Sequence, residues 1–302
     1  MRLTVLPTDR DVHTGDLTAK CMRETLHRWN DEFEPTVPTA MLRGLCFGKA
    51  TELWWDDDEP LDTVAQLALD VTIANLKVEG RVLTEGAEKA CGEIVEHVHQ
   101  AMQLWPKCLE HVGGGSMPTI VGMEIPVRMS IEVDGIPQPI ASHVDLLLRD
   151  SKGGYIIADT KWREDAPTSD YLARNLQFST YWLCGKHASF RYPNGKWYEL
   201  GCDARLCWIH ASYLRPCGRA QTWVDKATGE IFNFKKGDVR PMEKVVRWVG
   251  YANAARQVAT DEIANRIRMM RQGHFPTNPD PLGCALCPSQ QWCHRFDMDT
   301  RR

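Results

Sequence analysis

Two aspartates and a lysine lie in neighbouring segments that both have the composition of β-strands. Asp145 belongs to the first segment, and Asp159 and Lys161 belong to the second. The run Asp-Ser-Lys-Gly-Gly between them, residues 150–154, is typical of a tight turn. A hairpin centred near Lys152 would place the two aspartates opposite each other, and Lys161 on the same face, because side chains alternate along a strand. The spacing therefore predicts that three charged groups converge.

These residue types suit metal-assisted hydrolysis of a phosphodiester. Paired carboxylates hold hard cations such as Mg²⁺ or Mn²⁺. Such an ion polarises a phosphate and lowers the pKa of a bound water. A lysine beside it can orient that water or stabilise charge that develops on the phosphate. The alternative is a hairpin whose solvent face holds ordinary charges, and a register slip of one residue would place the aspartates on opposite faces.

The composition is that of a soluble globular protein. The chain has 302 residues, of which 43% are hydrophobic and 25% charged, and we expect a single domain over 1–302 because no linker is evident. The net charge of −4 argues against a protein that coats nucleic acid through a basic surface. No apolar run is long enough to span a bilayer, and the first ten residues lack the apolar core of a signal peptide. We therefore expect a cytoplasmic location.

Periodicity divides the chain into three regions. Residues 14–110 have the spacing of helices, and residues 120–240 contain the hairpin and further strand-like segments, which predicts a sheet core. The region 241–302 begins with apolar residues at helical spacing. It predicts one long amphipathic helix from Pro241 to Gln272, followed by a tail.

Three cysteines are clustered in that tail with the spacing C-x₂-C-x₅-C: Cys284, Cys287 and Cys293. Three thiolates leave one ligand to find, and Cys21 or Cys46 could supply it from far upstream. Such a Cys₄ set favours an iron–sulfur cluster. Zinc, with His294 as the fourth ligand, is the alternative. A third interpretation is that these cysteines have no ligand, which is unusual for clustered thiols in a reducing compartment.

The Asp…Asp-x-Lys hairpin and the cysteine tail together resemble the PD-(D/E)XK nuclease superfamily, and within it the iron–sulfur RecB-like branch. That branch includes AddB nuclease domains, CRISPR-associated exonucleases and phage-encoded relatives. The segment around Cys21 resembles its early Cys-x-(Arg/Lys) helix. Gly48 to Glu52 falls where the branch usually has Gly-x₃-His, and Gln177 to Tyr181 matches its Gln-x₃-Tyr helix. The resemblance covers about residues 17 to 293.

The resemblance implies an α/β fold with a restriction-endonuclease-like core, in which helices flank a central mixed sheet. It also implies a helical N-terminal region and a cysteine-rich tail. Glu52, Asp145 and Asp159 would bind one or two Mg²⁺ or Mn²⁺ ions, with the backbone carbonyl of Thr160 as a further ligand. Lys161 would position the attacking water. Glu52 stands where histidine is more familiar, and glutamate is a good ligand for a hard cation. The alternative is that Glu52 is a solvent-facing charge on a helix.

Gln177 and Tyr181 are four residues apart and therefore on one helical face. The resemblance implies that they steady the lysine or contact a phosphate, whereas the structural alternative is simple packing of a helix on the sheet. Cys21, Cys284, Cys287 and Cys293 would bind a 4Fe-4S cluster with a structural role.

The implied function is a metal-dependent DNA exonuclease that acts on DNA ends or single strands. Trp54, Trp55 and Trp162 flank the predicted site and could stack on bases. DNA is the expected partner, together with recombination or CRISPR-adaptation proteins. The alternative function is a non-catalytic iron–sulfur or zinc protein that binds DNA or a recombination partner.

Overall fold

A computed structural model gives the architecture of the chain. It describes residues 5–18, 22–30, 36–56, 59–163, 172, 175–212, 219–224, 231–238, 244–250 and 253–275. Within these ranges, no helix combines the length and the apolar composition that a membrane span requires.

The helices of this part of the chain lie mostly before and after a block of strands. Their bounds are α1 Thr14–Thr18, α2 Met22–Trp29, α3 Thr39–Asp56, α4 Val64–Val78, α5 Glu85–Lys89, α6 Cys91–Val112, α7 Leu176–His187 and α8 Asn253–Arg271. The strands are β1 Val12–His13, β2 Thr36–Val37, β3 Val82–Leu83, β4 Thr119–Val133, β5 Ile136–Arg149, β6 Tyr155–Arg163, β7 Ser189–Arg191, β8 Trp197–Glu199, β9 Arg205–Ser212, β10 Gln221–Val224, β11 Ile231–Phe234 and β12 Lys244–Val249.

One mixed sheet organises the fold. Its strands follow the order β12-β9-β6-β5-β4-β7-β8, and β1 pairs with β5. The pairs β6–β9 and β1–β5 are parallel, whereas the remaining pairs are antiparallel. Helices α7 and α8 pack against one face, and α3, α4 and α6 cover the other. The sheet thus separates two hydrophobic cores, the first on the side of α7 and α8 and the second on the side of α3, α4 and α6. The predicted α/β class, with a central mixed sheet flanked by helices, is confirmed.

The hairpin of β5 and β6 has the predicted register. Leu146 pairs with Ala158, and Arg149 pairs with Tyr155. The turn is closed by Asp150, whose Oδ1 accepts hydrogen bonds from the backbone N–H groups of residues 152 and 154, at 2.9 and 2.8 Å. A short polar side chain that binds the backbone two residues ahead favours such turns. The strand ends beyond this turn are therefore fixed relative to each other.

The long hairpin of β4 and β5 turns at Asp134 and Gly135. Both residues have positive φ angles, 54° and 75°, as the tight hairpin turn that matches strand twist requires. Arg271 of α8 anchors this hairpin because its guanidinium donates to the carbonyls of Val133 and Ile136, at 3.0 and 3.3 Å. The last helix is thereby fixed to the same sheet that contains Asp145.

The prediction of one helix from Pro241 is wrong. Lys244–Val249 forms strand β12, which pairs antiparallel with β9, and helix α8 begins only at Asn253. The sequence Lys-Val-Val-Arg-Trp-Val contains β-branched and aromatic residues, which prefer strands. The free edge of β9 gives these residues a pairing partner, a long-range contact that helical spacing does not reveal.

The N-terminal segment and helix α8 pack against each other. The backbone N–H of Leu6 donates to the carbonyl of Met270 at 2.9 Å, and Arg266 donates to the carbonyl of Leu17 at 2.9 Å. The rings of Trp29 and Phe275 meet edge to face, with centroids 5.6 Å apart. The two ends of the described chain therefore lie on one side of the sheet.

Candidate active site

The side chains of Asp145, Asp159 and Lys161 meet next to the β5–β6 hairpin. The Lys161 ammonium donates to Asp159 Oδ1 at 2.7 Å and to Asp145 Oδ2 at 3.4 Å. The side chain of Asp159 is 2% exposed and that of Asp145 is 17% exposed, whereas Lys161 keeps 36% of its surface. Two largely buried carboxylates thus share one cation that still reaches solvent.

Helix α7 supplies two more side chains to this cluster. Asn175 caps the helix, since its Oδ1 accepts the N–H of Gln177 at 2.8 Å. The Gln177 amide donates to Asp159 Oδ1 at 2.8 Å and to the Tyr181 oxygen at 3.0 Å. The Tyr181 hydroxyl in turn donates to Asp145 Oδ1 at 3.1 Å.

These contacts form a closed ring of hydrogen bonds that runs through Asp145, Lys161, Asp159, Gln177 and Tyr181. The four-residue spacing of Gln177 and Tyr181 places both on the face of α7 that meets the sheet. Tyr181 is 1% exposed, so it also packs in the first core, as the structural alternative proposed. Packing and hydrogen bonding are therefore both functions of this residue, and Gln177 holds Asp159 rather than the lysine.

Thr160 contacts Asp145 through its donors. Its backbone N–H donates to Asp145 Oδ2 at 3.0 Å, and its hydroxyl lies 3.4 Å from the same oxygen. Thr160 thus fixes the orientation of the Asp145 carboxylate, while metal binding by its carbonyl stays a prediction.

The regular alternation of side chains between the two faces of the sheet is interrupted at Asp145 on β5, and the backbone of β4 is irregular at the facing residue, Glu124. On β5, Val144 and Leu147 pack in the first core, whereas Leu146 packs in the second. On the neighbouring strand, Glu124 has a φ angle of 44°, in the left-handed region that a non-glycine residue seldom adopts. Such irregularities redirect a side chain out of the regular pleat and are frequent beside active sites.

Glu124 is a site residue that the sequence analysis missed. Its neighbours Met123 and Ile125 pair with Leu146 and Val144, so Glu124 lies opposite Asp145. A signal was available, because counting back from the Asp-Gly turn at 134–135 gives the same register. Glu124, the one charged residue between Ile120 and Val127, would then have been placed beside the predicted site.

Burial, together with the nearby carboxylates of Asp145 and Glu52, raises the pKa of Glu124 to about 7. The charges of Lys161 and Lys49 oppose this shift. The Glu124 side chain is exposed to solvent, so the neighbouring carboxylates contribute more to this shift than burial does. The shift identifies an excess of negative charge at this point of the sheet.

Glu52 lies at the rim of the cluster on helix α3. Its carboxylate forms an ion pair with the Lys49 ammonium three residues earlier, and the two side chains are 23% and 26% exposed. The charge of Glu52 acts on Glu124. Helix α3 therefore brings Glu52 close to the strand carboxylates, although Glu52 is not part of the hydrogen-bonded ring.

The protonation states inside the ring follow from its charges. Burial raises the pKa of Asp159, and repulsion from Asp145 raises it further. Burial alone would lower the pKa of Lys161, but the attraction of Asp159 and Asp145 outweighs it, so the net shift is upward. Burial and the same two carboxylates raise the pKa of Tyr181 well above its ordinary value. Lys161 therefore remains an ammonium and Tyr181 a neutral donor at physiological pH.

The donor set fits a hard divalent cation. Glu52, Glu124, Asp145 and Asp159 offer carboxylate oxygens, the ligands that Mg²⁺ and Mn²⁺ prefer. In the arrangement described, Lys161 lies against two of them and Lys49 against a third. Within the described ranges, no three His, Cys, Asp or Glu side chains stand close enough together to hold a metal ion. These carboxylates would hold a cation by the chemistry of their oxygens, and in the arrangement described three of the four are paired with lysines.

The predicted cluster ligands lie outside the described residues. They are Cys21, Cys284, Cys287 and Cys293, together with the alternative zinc ligand His294. Cys46, the alternative fourth ligand, is fully buried between α3 and its neighbours, and this burial raises the pKa of its thiol to about 12. A buried, protonated thiol in a packed core is unsuited to ligate a cluster.

The tryptophans predicted to flank the site differ in exposure. Trp54 is partly buried against the second core, whereas Trp55 is 37% exposed on the helix that contains Glu52. The side chain of Trp162 lies outside the described residues. Of the two described indoles, Trp55 is therefore the one available for a ligand.

Comparison with known families assigns the chain. The model of the PD-(D/E)XK nuclease superfamily matches residues 22–294, so the chain belongs to this superfamily. Metal-dependent nuclease activity is the general property of that class. The match spans the hairpin of Asp145 and Asp159 and both helices that supply the remaining polar groups.

Two further comparisons give less. The crystal structure of SSO0001 is 10% identical in sequence and aligns with 91% of this chain and 93% of that chain, with a TM-score of 0.34. Because this score is low, the assignment depends on the family model alone. No significant match was found among curated proteins.

Proposed function

We propose that this chain is a metal-dependent DNA exonuclease that hydrolyses phosphodiester bonds at DNA ends or in single strands. The observation that supports this best is the hydrogen-bonded ring of Asp145, Lys161, Asp159, Gln177 and Tyr181. A purely structural hairpin has no need for two largely buried carboxylates that share one lysine, since burying charge is costly. Groups with strongly shifted pKa values are concentrated at functional sites, which favours a catalytic role for this cluster.

In this proposal Asp145 and Asp159 hold one or two Mg²⁺ or Mn²⁺ ions, with Glu52 and Glu124 as further carboxylate ligands. The metal supplies Lewis-acid activation of the phosphate and of a bound water. Lys161 keeps its proton, so its role is to orient that water and to stabilise negative charge on the phosphate. Gln177 and Tyr181 hold the carboxylates in place and thereby preserve the geometry that the reaction needs.

The test is digestion of DNA by the purified protein with Mn²⁺ or Mg²⁺, with and without a chelator. Linear duplex, linear single-stranded and covalently closed circular DNA are compared. An exonuclease degrades the linear substrates and leaves the closed circle intact. Cleavage of the circle at an equal rate would show an endonuclease, and DNA binding without cleavage of any substrate would support the non-catalytic alternative.

The matched variants are Lys161→Ala and Lys152→Ala. The first removes the ammonium from the ring, and the second removes an exposed lysine from the hairpin turn of the same strands. We expect loss of digestion in Lys161→Ala and ordinary digestion in Lys152→Ala. Full activity of Lys161→Ala would refute the mechanism.

We also propose that Cys21, Cys284, Cys287 and Cys293 hold a 4Fe-4S cluster of structural role. The spacing of these cysteines supports it, and so does the packing of the N-terminal segment on helix α8, which precedes the tail. Anaerobically purified protein should be brown and contain iron and sulfide in equal amounts. A colourless protein with one equivalent of zinc would favour the zinc alternative.

A further inference from the structure

One face of the β4–β5 hairpin is uncovered next to the candidate active site. Val127 and its alternate neighbours on β4 pack in the first core, so the residues between them point to the opposite face. The second core, which covers that face further along the strands, reaches only as far as Met123 and Leu146. Glu124 and Asp145 are the next residues. Among the described residues, neither core covers this face from there outward.

Strands β7 and β8 extend the uncovered face sideways. Arg128 pairs with Ser189, and Arg191 pairs with Trp197, so these four side chains share one face. The Arg128 guanidinium lies 5.6 Å from the centroid of the Trp197 ring, which agrees with this placement. We call this surface the open face, and its residues include Pro126, Arg128, His143, Ser189, Arg191 and Trp197.

The open face is continuous with the carboxylate cluster. Val127 pairs with Phe190, which pairs with Tyr198, so Trp197 lies one residue nearer to Glu124 than Val127 does. Two residues along a strand and two spacings between strands separate Trp197 from Glu124, which is about 12 Å. About four stacked nucleotides, at 3.4 Å each, span this distance. A DNA strand with one phosphate at the site therefore reaches Trp197.

The pair of Arg128 and Trp197 offers groups that a ligand can use. The indole is 41% exposed, and among the described residues no carboxylate forms an ion pair with the Arg128 guanidinium. Arg205 provides the contrast, because it stacks on Trp248 at 4.8 Å but also binds the Asp150 carboxylate at 2.6 Å. Arg128 thus keeps its charge available beside an exposed aromatic ring.

These groups match the chemistry of single-stranded DNA. An exposed indole stacks on any unpaired base, and an arginine beside it binds backbone phosphate. Arg128 and Arg191 give the open face positive charge next to Trp197, whereas the carboxylates of Glu132 and Glu199 lie at its outer ends. The charge near the site is therefore complementary to a phosphate backbone.

We propose that the open face holds the single-stranded DNA that leads to the active site, with one base stacked on Trp197 and a backbone phosphate bound by Arg128. This inference rests on the proposed nuclease function and specifies the form of the substrate and the surface that holds it. Stacking requires an unpaired base, and neither contact reads the sequence. Affinity should therefore depend on strandedness and not on base order.

A purely structural role makes a different prediction. Exposed pairs of a cation and an aromatic ring stabilise proteins slightly. If Arg128 and Trp197 only hold the short edge strand β8 in place, replacing either residue lowers the free energy of unfolding. The folded variant would then bind DNA as tightly as the wild type does.

The experiment compares Trp197→Ala and Arg128→Ala with two matched controls, Tyr198→Ala and Arg149→Ala. Tyr198 is the next residue on β8 and is also 41% exposed, but it points to the opposite face. Arg149 is exposed and lies 5.7 Å from the centroid of the Tyr155 ring, at the turn end of β5. Each control therefore removes the same kind of group from outside the open face.

Binding is measured by fluorescence anisotropy with a fluorescein-labelled single-stranded oligonucleotide and with a blunt duplex. The buffer contains EDTA, which prevents metal-dependent cleavage, and the NaCl concentration is varied. Urea unfolding of each variant establishes that it is folded under the conditions of the binding assay.

We expect Trp197→Ala to raise the Kd for the single strand about tenfold, the loss of one stacked base, and to leave the Kd for the duplex unchanged. Arg128→Ala should lower the slope of log K against log[NaCl] by about 0.7, the contribution of one phosphate contact in single-stranded DNA. Tyr198→Ala and Arg149→Ala should match the wild type.

Unchanged affinity for the single strand in folded Trp197→Ala would overturn the inference, as would an equal loss for the duplex or a wild-type protein that binds no oligonucleotide. If Trp197→Ala does not fold, the wild-type protein is photo-crosslinked to an oligonucleotide that contains iododeoxyuridine. A crosslink mapped to Trp197 by mass spectrometry supports the inference, and crosslinks only outside the open face overturn it.

Failure of the proposed nuclease function is a separate outcome. A wild-type protein that binds DNA but cleaves none with Mn²⁺ is not the proposed nuclease. Because binding is measured without metal, the comparison of Trp197→Ala with Tyr198→Ala would still decide whether the open face holds the strand.

Discussion

Replacing Lys161 by alanine should destabilise the protein in a manner that depends on pH. The variant leaves Asp145 and Asp159 facing each other without their shared ammonium. Breaking a buried ion pair by removing one partner costs about 3–5 kcal/mol. Because Lys161 is 36% exposed, we take the lower end, about 3 kcal/mol, at pH 8.

The dependence on pH follows from the direction of the pKa shift. In the folded wild type, burial and the Asp145 charge already raise the pKa of Asp159 above its unfolded value. Without the ammonium this pKa rises further, so stability is retained at low pH and lost as the pH rises through the raised value. Because pH 5 lies about one unit above the ordinary pKa of an aspartate, protonating Asp159 in the variant costs about 1.5 kcal/mol at this pH.

The assay is urea unfolding followed by tryptophan fluorescence at pH 5 and pH 8. We expect the free energy of unfolding of Lys161→Ala to fall by about 3 kcal/mol at pH 8 and by about half as much at pH 5, with an unchanged m-value. Lys152→Ala should stay within about 0.5 kcal/mol of wild type at both pH values. Equal destabilisation at the two pH values would refute the idea that Lys161 compensates two carboxylates.

Two other substitutions test the rest of the cluster. Tyr181→Phe keeps the buried ring but removes the donor to Asp145, so it should cost about 1–2 kcal/mol of stability and lower kcat about tenfold, measured by unfolding and Mn²⁺-dependent digestion; an unchanged kcat would argue against positioning by Tyr181. Glu124 has a raised pKa, so its ionisation removes stability as the pH rises from about 4.5 through 7, and Glu124→Gln should abolish that loss. In thermal or urea unfolding we expect a gain in stability of about 1 kcal/mol at pH 8 and little change at pH 5. The gain is small because the Glu124 side chain is exposed to solvent, which screens the repulsion. No gain at pH 8 would contradict the assigned repulsion.

The parts of the site that are close in sequence could be predicted. The turn residues 150–154 fix the register of Asp145 with Asp159, and alternation then places Lys161 on their face. The four-residue spacing of Gln177 and Tyr181 likewise places both on one side of a helix. Local geometry is sufficient for these relations because each depends on one turn or one helical repeat.

The parts that depend on long-range contacts could not be predicted. Strand β12 forms because β9 offers an unpaired edge, and the apolar spacing of Lys244–Val249 was instead assigned to a helix. Glu124 was missed because it belongs to a different hairpin from the predicted aspartates and has a backbone angle outside the regular strand. The pairing of Lys49 with Glu52 is local, but its place beside Glu124 depends on how α3 packs on the sheet.

The central claim is that the carboxylates beside the β5–β6 hairpin bind the cation that drives DNA hydrolysis. The most direct measurement is the rate of Mn²⁺-dependent digestion of linear DNA by wild type, Asp159→Asn and the control Asp70→Asn, an exposed residue of α4. Loss of a supporting residue of a metal site typically costs about 10- to 100-fold, so loss of Asp159 itself should lower the rate at least about a hundredfold, with Asp70→Asn unchanged. A folded Asp159→Asn variant that digests DNA at the wild-type rate would contradict the claim.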